Sequence, residues 1–233
     1  MCPLLLVVAA LWPTALRSQW TPVPAEELSH AIERNRVKYL ALGDLQLGYE
    51  ILTFLGVSDI QPVQRARARV LRSGTKYRSE QTGFLTVQDG HLKVMIDSVS
   101  QTVTIAAADS GWAGFGTEYS RTMLARAQSI GKHSTGGRTT YRVMMGQGPV
   151  DALEVGFDAS GWLRSTTIFF APSSVDRTIF KSPKLETVFE VPRTLSDRTA
   201  MDWDISRSVV KEAGGYRPVK ALATYELIDT RLQ

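Results

Sequence analysis

The chain has 233 residues, 43% of them hydrophobic, which is enough apolar material for a substantial core in one globular unit. Its 27 basic and 23 acidic residues are mixed along the sequence and leave a net charge of +4, a balance that tolerates an anionic headgroup but is too mild to argue for nucleic acid. Cys2 is the single cysteine, so an internal disulfide and a thiolate metal site are both excluded.

An apolar run from Pro3 to Leu16, interrupted by Pro13, opens the chain. It falls short of the roughly 20 residues of a membrane-crossing helix and matches the apolar region of a secretory signal. Residues 1–18 are therefore expected to be a signal peptide cut near Ser18, leaving 19–233 as one soluble, exported domain. A retained N-terminal anchor is the alternative, because no Lys or Arg precedes the run and Leu16 is bulky for its place before the cut. Cys2 lies ahead of the run and so is not the lipidated cysteine that follows a lipoprotein signal.

AEELSHAIERNRVKYLAL places Leu28, Ile32, Tyr39 and Leu42 so that most share one helical face. The period then drops to two. In LQLGYEILTF, Leu45, Leu47, Tyr49 and Ile51 alternate with Gln46, Gly48 and Glu50, the pattern of a half-buried strand. VQRARARVLR alternates Arg65, Arg67 and Arg69 with Ala66, Ala68 and Val70. The arginines read as a solvated face or as an anion-binding ridge; the alanines leave a shallow floor that a helix or a ligand must fill. TKYRSEQT puts Lys76, Arg78 and Glu80 on one side of the pleat and Tyr77 and Ser79 on the other.

FLTVQDGHLKVMIDSVSQTVTI reads as three antiparallel strands, with Asp89-Gly90 as a hairpin turn and Asp97 to Gln101 as a loop. TEYSRTMLARAQSI then returns to a helical pattern, with Thr117 as cap and Tyr119, Met123, Leu124 and Ile130 as contacts; GKHSTGGR reads as an exposed loop. Strands follow at TYRVMM, ALEVGFD, LRSTTIFFAP and KLETVFEV, then a hairpin in ISRSVVKEAGGYRPV and a last strand in ATYELIDTRL. The fold class expected is α+β, mostly antiparallel β: an incomplete, half-open barrel whose concave face helices cover.

Chemistry finds little support. His30, His91 and His133 fall on a helix, beside a turn and in a loop, without the spacing of a metal site. Ser208-Val-Val-Lys211 matches S-x-x-K by letters but lies in a strand pattern rather than at the start of a helix. Gly131-Lys132-His133-Ser134 lacks the upstream glycine of a phosphate loop, and Asp202 and Asp204 point to opposite sides of a strand. No catalytic residue, cofactor or metal is expected. Ile168, Phe169 and Phe170 put large apolar groups on both faces of one strand, which is either buried between layers or lines an apolar cavity.

KYRSEQTGFLTVQDGHLKVMIDSVSQTVTI resembles the hallmark region of the LolA-like outer-membrane lipoprotein carrier proteins: Lys76-Tyr77-Arg78, Asp89-Gly90, Asp97, and Gln101 to Ile105 fall at matching places. The order of leader, first helix, mid-chain helix and DASGWLRSTTIFF hairpin is similar over about Ala25 to Val191. Departures are Val94 and Ile96 where family carriers usually show an aromatic pair, Ser98 in place of a proline, and a β extension from about residue 194. The resemblance implies a periplasmic carrier that holds acyl chains of a lipoprotein or other lipid and moves them toward the outer membrane, with inner- and outer-membrane envelope proteins as partners. The lining expected is Tyr49, Ile51, Ala66, Ala68, Val70, Tyr77, Val94, Ile96, Val103, Ile105, Phe157 and Phe169, with Met123 and Leu124 from the covering helix. The expected protein is monomeric and non-enzymatic and binds no nucleic acid. A lipid-sensing or envelope-assembly module on the same fold is the alternative.

Overall fold

The computed structural model describes residues 20–108, 122–175, 182–195 and 203–232. The leader expected over 1–18, the cap expected at Thr117, Tyr119 and Asp202 lie outside them. One helix, α1 (Ala25–Ala41), precedes the long strands β2 (Leu45–Phe54), β3 (Gln64–Ser73), β4 (Lys76–Gln81), β5 (Phe84–Gln88), β6 (Leu92–Asp97) and β7 (Thr102–Ala107). A second run follows as β8 (Ala127–Thr135), β9 (Arg138–Met145), β10 (Val150–Phe157), β11 (Leu163–Phe170) and β12 (Lys184–Phe189). Short pieces complete the set: β1 (Thr21–Pro22), β13 (Arg193–Thr194), the hairpin β14 (Val209–Glu212) and β15 (Gly215–Pro218), and β16 (Glu226–Asp229).

Fourteen of these strands form one open sheet in the order β1-β8-β9-β10-β11-β12-β2-β3-β4-β5-β6-β7-β16, with β13 also on β2. The two meanders meet where β12 pairs antiparallel with β2, and among the described strands only β16 joins in parallel, on β7. Among the described residues the sheet does not close on itself, in keeping with the mostly antiparallel, unclosed sheet expected from sequence.

Pro24 leads into α1, and Glu26 and Glu27 in its first turn and Lys38 in its last match the helix dipole. Leu28, Ala31, Asn35 and Tyr39, spaced by three and four, are its buried stripe; Ile32 and Leu42 pack at the margin. The stripe lies against Val143, Leu153, Val155, Phe157 and Phe189 in one core. Polar bonds fix the helix at both ends. Lys132 Nζ and Tyr141 Oη donate to Glu27 Oε1 at 2.7 and 3.1 Å. A bulge in β11 opposite Gly156–Phe157 interrupts the ladder, and the Leu163 amide donates instead to the buried Asn35 Oδ1 at 2.9 Å. Tyr39 meets Trp162 edge to face at 5.3 Å, and Lys38 Nζ bonds the Ser160 carbonyl.

Burial pushes the Tyr39 phenol up to about 12. Its folded pKa exceeds the ordinary value near 10, so the folded state holds its proton where the unfolded chain releases it, and stability falls as pH rises through that window. Thermal unfolding followed from pH 9 to 12 should lose up to about 1.4 kcal/mol per pH unit from this group, and Tyr39→Phe should remove that part of the slope.

A second core forms on β6 and β7. Val94, Ile96, Val103 and Ile105 are buried with Val209, and Ile205, Tyr216, Leu222, Tyr225 and Leu227 pack around them. The C-terminal segment is thus a hydrophobic cover in its own right.

Two expectations need correction. Of the helix read over 117–130, residues 122–125 are helical, with Met123 buried, but Ala127 onward is strand β8. The loop read at GKHSTGGR is the end of β8, a two-glycine turn and the start of β9. A bulge between Ala127 and Ser129 breaks the alternation, and a Cβ on Gly131 would stand only 2.8 Å from Trp20 Cβ, so the strand needs glycine there. Gly136 and Gly137 take φ of 56° and 77°, as a tight hairpin turn requires.

Candidate functional site

Directly opposed residues of a ladder share a face, so the register assigns every strand residue to one side of the sheet. Tyr49 opposes Ala68, Ile51 opposes Ala66, and Leu47 opposes Val70. Since Leu47 and Val70 belong to the α1 core, this is the α1 face. Across β12 and β11 the same face carries Thr53, Leu185 and Ile168 in one row, and Ile51, Thr187 and Thr166 in the next. Phe157, opposite Thr139 and next to buried Val155 and Tyr141, belongs to it too.

Beyond β3 the face changes character. Ala68 opposes Gln81, and Val70 opposes Ser79, then Thr86, Met95 and Thr104. Arg72 opposes Tyr77, then Gln88 and Lys93. Hydroxyls, amides and charges replace aliphatic groups.

The expected lining therefore divides between the two faces. Tyr49, Ile51, Ala66, Ala68, Val70, Tyr77 and Phe157 are on the α1 face, where Met123 is buried in the α1 core and Leu124 packs against it. Val94, Ile96, Val103 and Ile105 are on the other, because Ile96 opposes Leu85, Glu80 and Arg69 in turn, while Val94 opposes Val87, Arg78 and Leu71. Phe169, opposite Lys184 and then Phe54, is also on that other face, beneath the Arg142 guanidinium at 5.0 Å. The physical reason is that each run of apolar alternation answers to a different cover. β2 and β3 turn theirs toward α1, while β6 and β7 turn theirs toward the C-terminal segment.

Beside the helix the α1 face carries a half-buried apolar strip formed by Tyr49, Ile51 and Ala66 with Ile168 and Leu185, of which Tyr49 and Ile168 also pack against the α1 core. From β11 to β3 it spans three strand spacings, about 14 Å. Val70, Phe157 and Met123, at 5%, 4% and 7% exposure, are already consumed by the core and border the strip rather than line it. Ala68, at 7%, lies under its neighbours. Leu185 is a strip residue that strand-by-strand reading missed, and Ile168 takes the place expected for Phe169; their signal is the register that brings β12 between β11 and β2. Tyr49 stacks at a tilt on Phe189, ring centroids 5.7 Å apart, and burial raises its phenol above the ordinary range, opposed by a bond to Ser79. It stays neutral and marks where the apolar strip meets the polar half of the face.

On the far face the arginine ladder is occupied locally. Arg67 Nε donates to Glu50 at 2.7 Å, Arg65 lies 3.5 Å from the same carboxylate, and Arg69 bonds Gln46. A shallow, open pocket of about 290 Å³ near this ladder is lined by Arg67, Ala68, Arg69, Glu80, Gln81 and Thr82. His30, His91 and His133 occupy α1, the β5–β6 turn and β8, and no cluster able to hold a metal ion occurs among the described residues. Ser208 precedes β14 and Lys211 is an exposed strand residue, while Asp204 caps a short turn by accepting from the Ser206 amide at 2.9 Å.

No protein-family model matches the chain, and no curated protein does. Solved structures of similar course include an uncharacterized conserved protein from Thermus thermophilus, with TM-score 0.43, 10% identity, and coverage of 88% of this chain and 98% of that one. A candidate outer membrane lipoprotein-sorting protein domain from Vibrio parahaemolyticus gives TM-score 0.31 at 12% identity over 77% and 95% of the two chains. A DUF1329 family protein from Desulfovibrio piger gives TM-score 0.31 at 8% identity over 80% and 98%. At these scores the likeness assigns neither family nor function.

Proposed function

We propose that the protein is an exported, non-enzymatic acyl-chain binder of the outer-membrane lipoprotein carrier type, and that its cargo lies on the strip of the α1 face rather than inside a closed barrel. The observation that carries this is the half-buried apolar row of Tyr49, Ile51, Ala66, Ile168 and Leu185 beside a helix that is itself bonded down. Among the described residues, no helix is long and apolar enough to cross a membrane.

The energetics favour transfer over storage. A fully enclosed methylene gains about 0.8 kcal/mol, so a chain laid against an open strip, with one side still wet, gains on the order of half of that per group. The holding is firm and reversible. Because α1 is tied through Glu27, Asn35 and Lys38, release on this reading requires no opening of α1.

Ala66→Phe would place a ring across the strip at a half-exposed position, so the fold should be kept. Titration with a fluorescent fatty acid should show at least about tenfold weaker binding for the variant, the scale of one aliphatic contact set. Equal binding by both proteins would remove the strip as the site. Lipid that co-purifies but is never delivered to a membrane would assign the protein to a sensing module instead.

A further inference from the structure

The end of the sheet formed by the β2–β3, β4–β5 and β6–β7 turns carries Val57, Ile60, Val63, Phe84 and Val99, all exposed, with Ile60 at 88% and Val99 at 78%. The pairing of Thr53 with Gln64, against that of Ala68 with Gln81, carries the β2–β3 hairpin four residues past the β4–β5 turn, about 13 Å. The apolar groups therefore sit on staggered tips rather than on a flat patch.

These tips are held in shape. The Asp59 carboxylate accepts from the Gly56 amide at 2.7 Å. Asp97 accepts from the Val99 and Ser100 amides at 2.8 and 3.1 Å and from the Ser100 hydroxyl at 2.6 Å. Val99 leans over the next turn, its Cγ2 only 3.2 Å from where a Cβ on Gly83 would stand. Both acidic groups at the tips are thus turned inward on their own loops. Just behind the β2–β3 tip, the Arg65 and Arg67 side chains are 55% and 81% exposed and share the single carboxylate of Glu50, while Lys184 Nζ lies 4.4 Å over the Phe54 ring.

We propose that this rim docks into the interface of an anionic phospholipid bilayer, with Val57 and Ile60 of the projecting β2–β3 tip at the level of the acyl boundary and Arg65, Arg67 and Lys184, with Val99 beside them, at the headgroups. A second copy of the chain fits less well, since staggered tips do not offer the roughly 800 Å² of complementary surface per partner that a stable dimer uses. A bilayer interface accepts separate apolar points, and basic residues behind them add attraction to anionic lipid. The strip proposed for acyl chains runs to this same end at Ile51 and Thr53, so a lipid would pass between bilayer and sheet without crossing water.

The test is sedimentation of the mature chain with vesicles of phosphatidylglycerol and phosphatidylcholine. The wild type should associate, more weakly at raised salt. Ile60→Asp should lower association about tenfold or more, Ile60→Trp should keep it, and Val37→Asp, at an exposed apolar site near the far end of α1, should leave it unchanged. Fatty-acid probe binding should survive Ile60→Asp, while Ala66→Phe should lose the probe and keep the vesicles, which separates failure of the rim from failure of the strip. Absent wild-type association, equal association by Ile60→Asp, or an equal loss in Val37→Asp overturns the proposal. So does a wild-type dimer that Ile60→Asp dissociates without any vesicle binding, which would give the rim to a second copy.

Discussion

Val209→Asp should cost about 3–5 kcal/mol, roughly 10 °C in unfolding midpoint for a chain of this size. Val209 is 2% exposed among Val94, Val103 and Ile105, themselves at 1% or less. The buried side chains that surround it, Val94, Ile96, Val103 and Ile105, offer a carboxylate no hydrogen-bond donor. Since total stability is on the order of 5–15 kcal/mol, the variant should stand near the edge of folding. The loss should also depend on pH. Burial raises the carboxyl's folded pKa above its unfolded value near 4, so the folded state binds the proton more tightly and stability drops as pH rises above 4. Chemical unfolding at pH 4 and pH 7 should show the larger deficit at pH 7; equal deficits would mean that the C-terminal segment moves aside and lets water reach the group.

Leu28→Ala should be the most damaging simple truncation on the helix, at about 3–5 kcal/mol. Leu28 has no exposed surface and is the largest aliphatic group of the α1 stripe. Ile32→Ala, at a margin position that is half-buried, should cost about 1 kcal/mol or less because the cavity opens to solvent. Denaturant midpoints of the pair give the comparison. Similar losses would mean that α1 does not rest on Val143, Val155 and Phe157 as described.

Local pattern revealed the strands but not their allegiance. The β5–β6 hairpin was legible because Asp89 and Gly90 do what turn residues do: the Asp89 carboxylate accepts from the His91 and Leu92 amides, and Gly90 takes a φ of 104°. The C-terminal hairpin and last strand were legible for similar reasons, although nothing local says that Leu227 joins β7 in parallel or that Val209 covers it. Alternation in LKVMID marks a strand with one apolar side; which side faces α1 depends on the register carried across β3, β4 and β5. That non-local count put Val94, Ile96, Val103 and Ile105 opposite Tyr49. β8 was misread because its core side offers little beyond Ile130, with Lys132 spent on Glu27, so the two-residue period never becomes visible.

Photo-crosslinking with a diazirine fatty acid, followed by peptide mapping, tests the central claim most directly. Labels should concentrate on the peptides of β2, β3 and β12, at Ile51, Ala66 and Leu185, and should vanish in Ala66→Phe. Labels confined to Val94, Val103, Ile105 and the C-terminal hairpin would contradict the account, as would the absence of specific labelling.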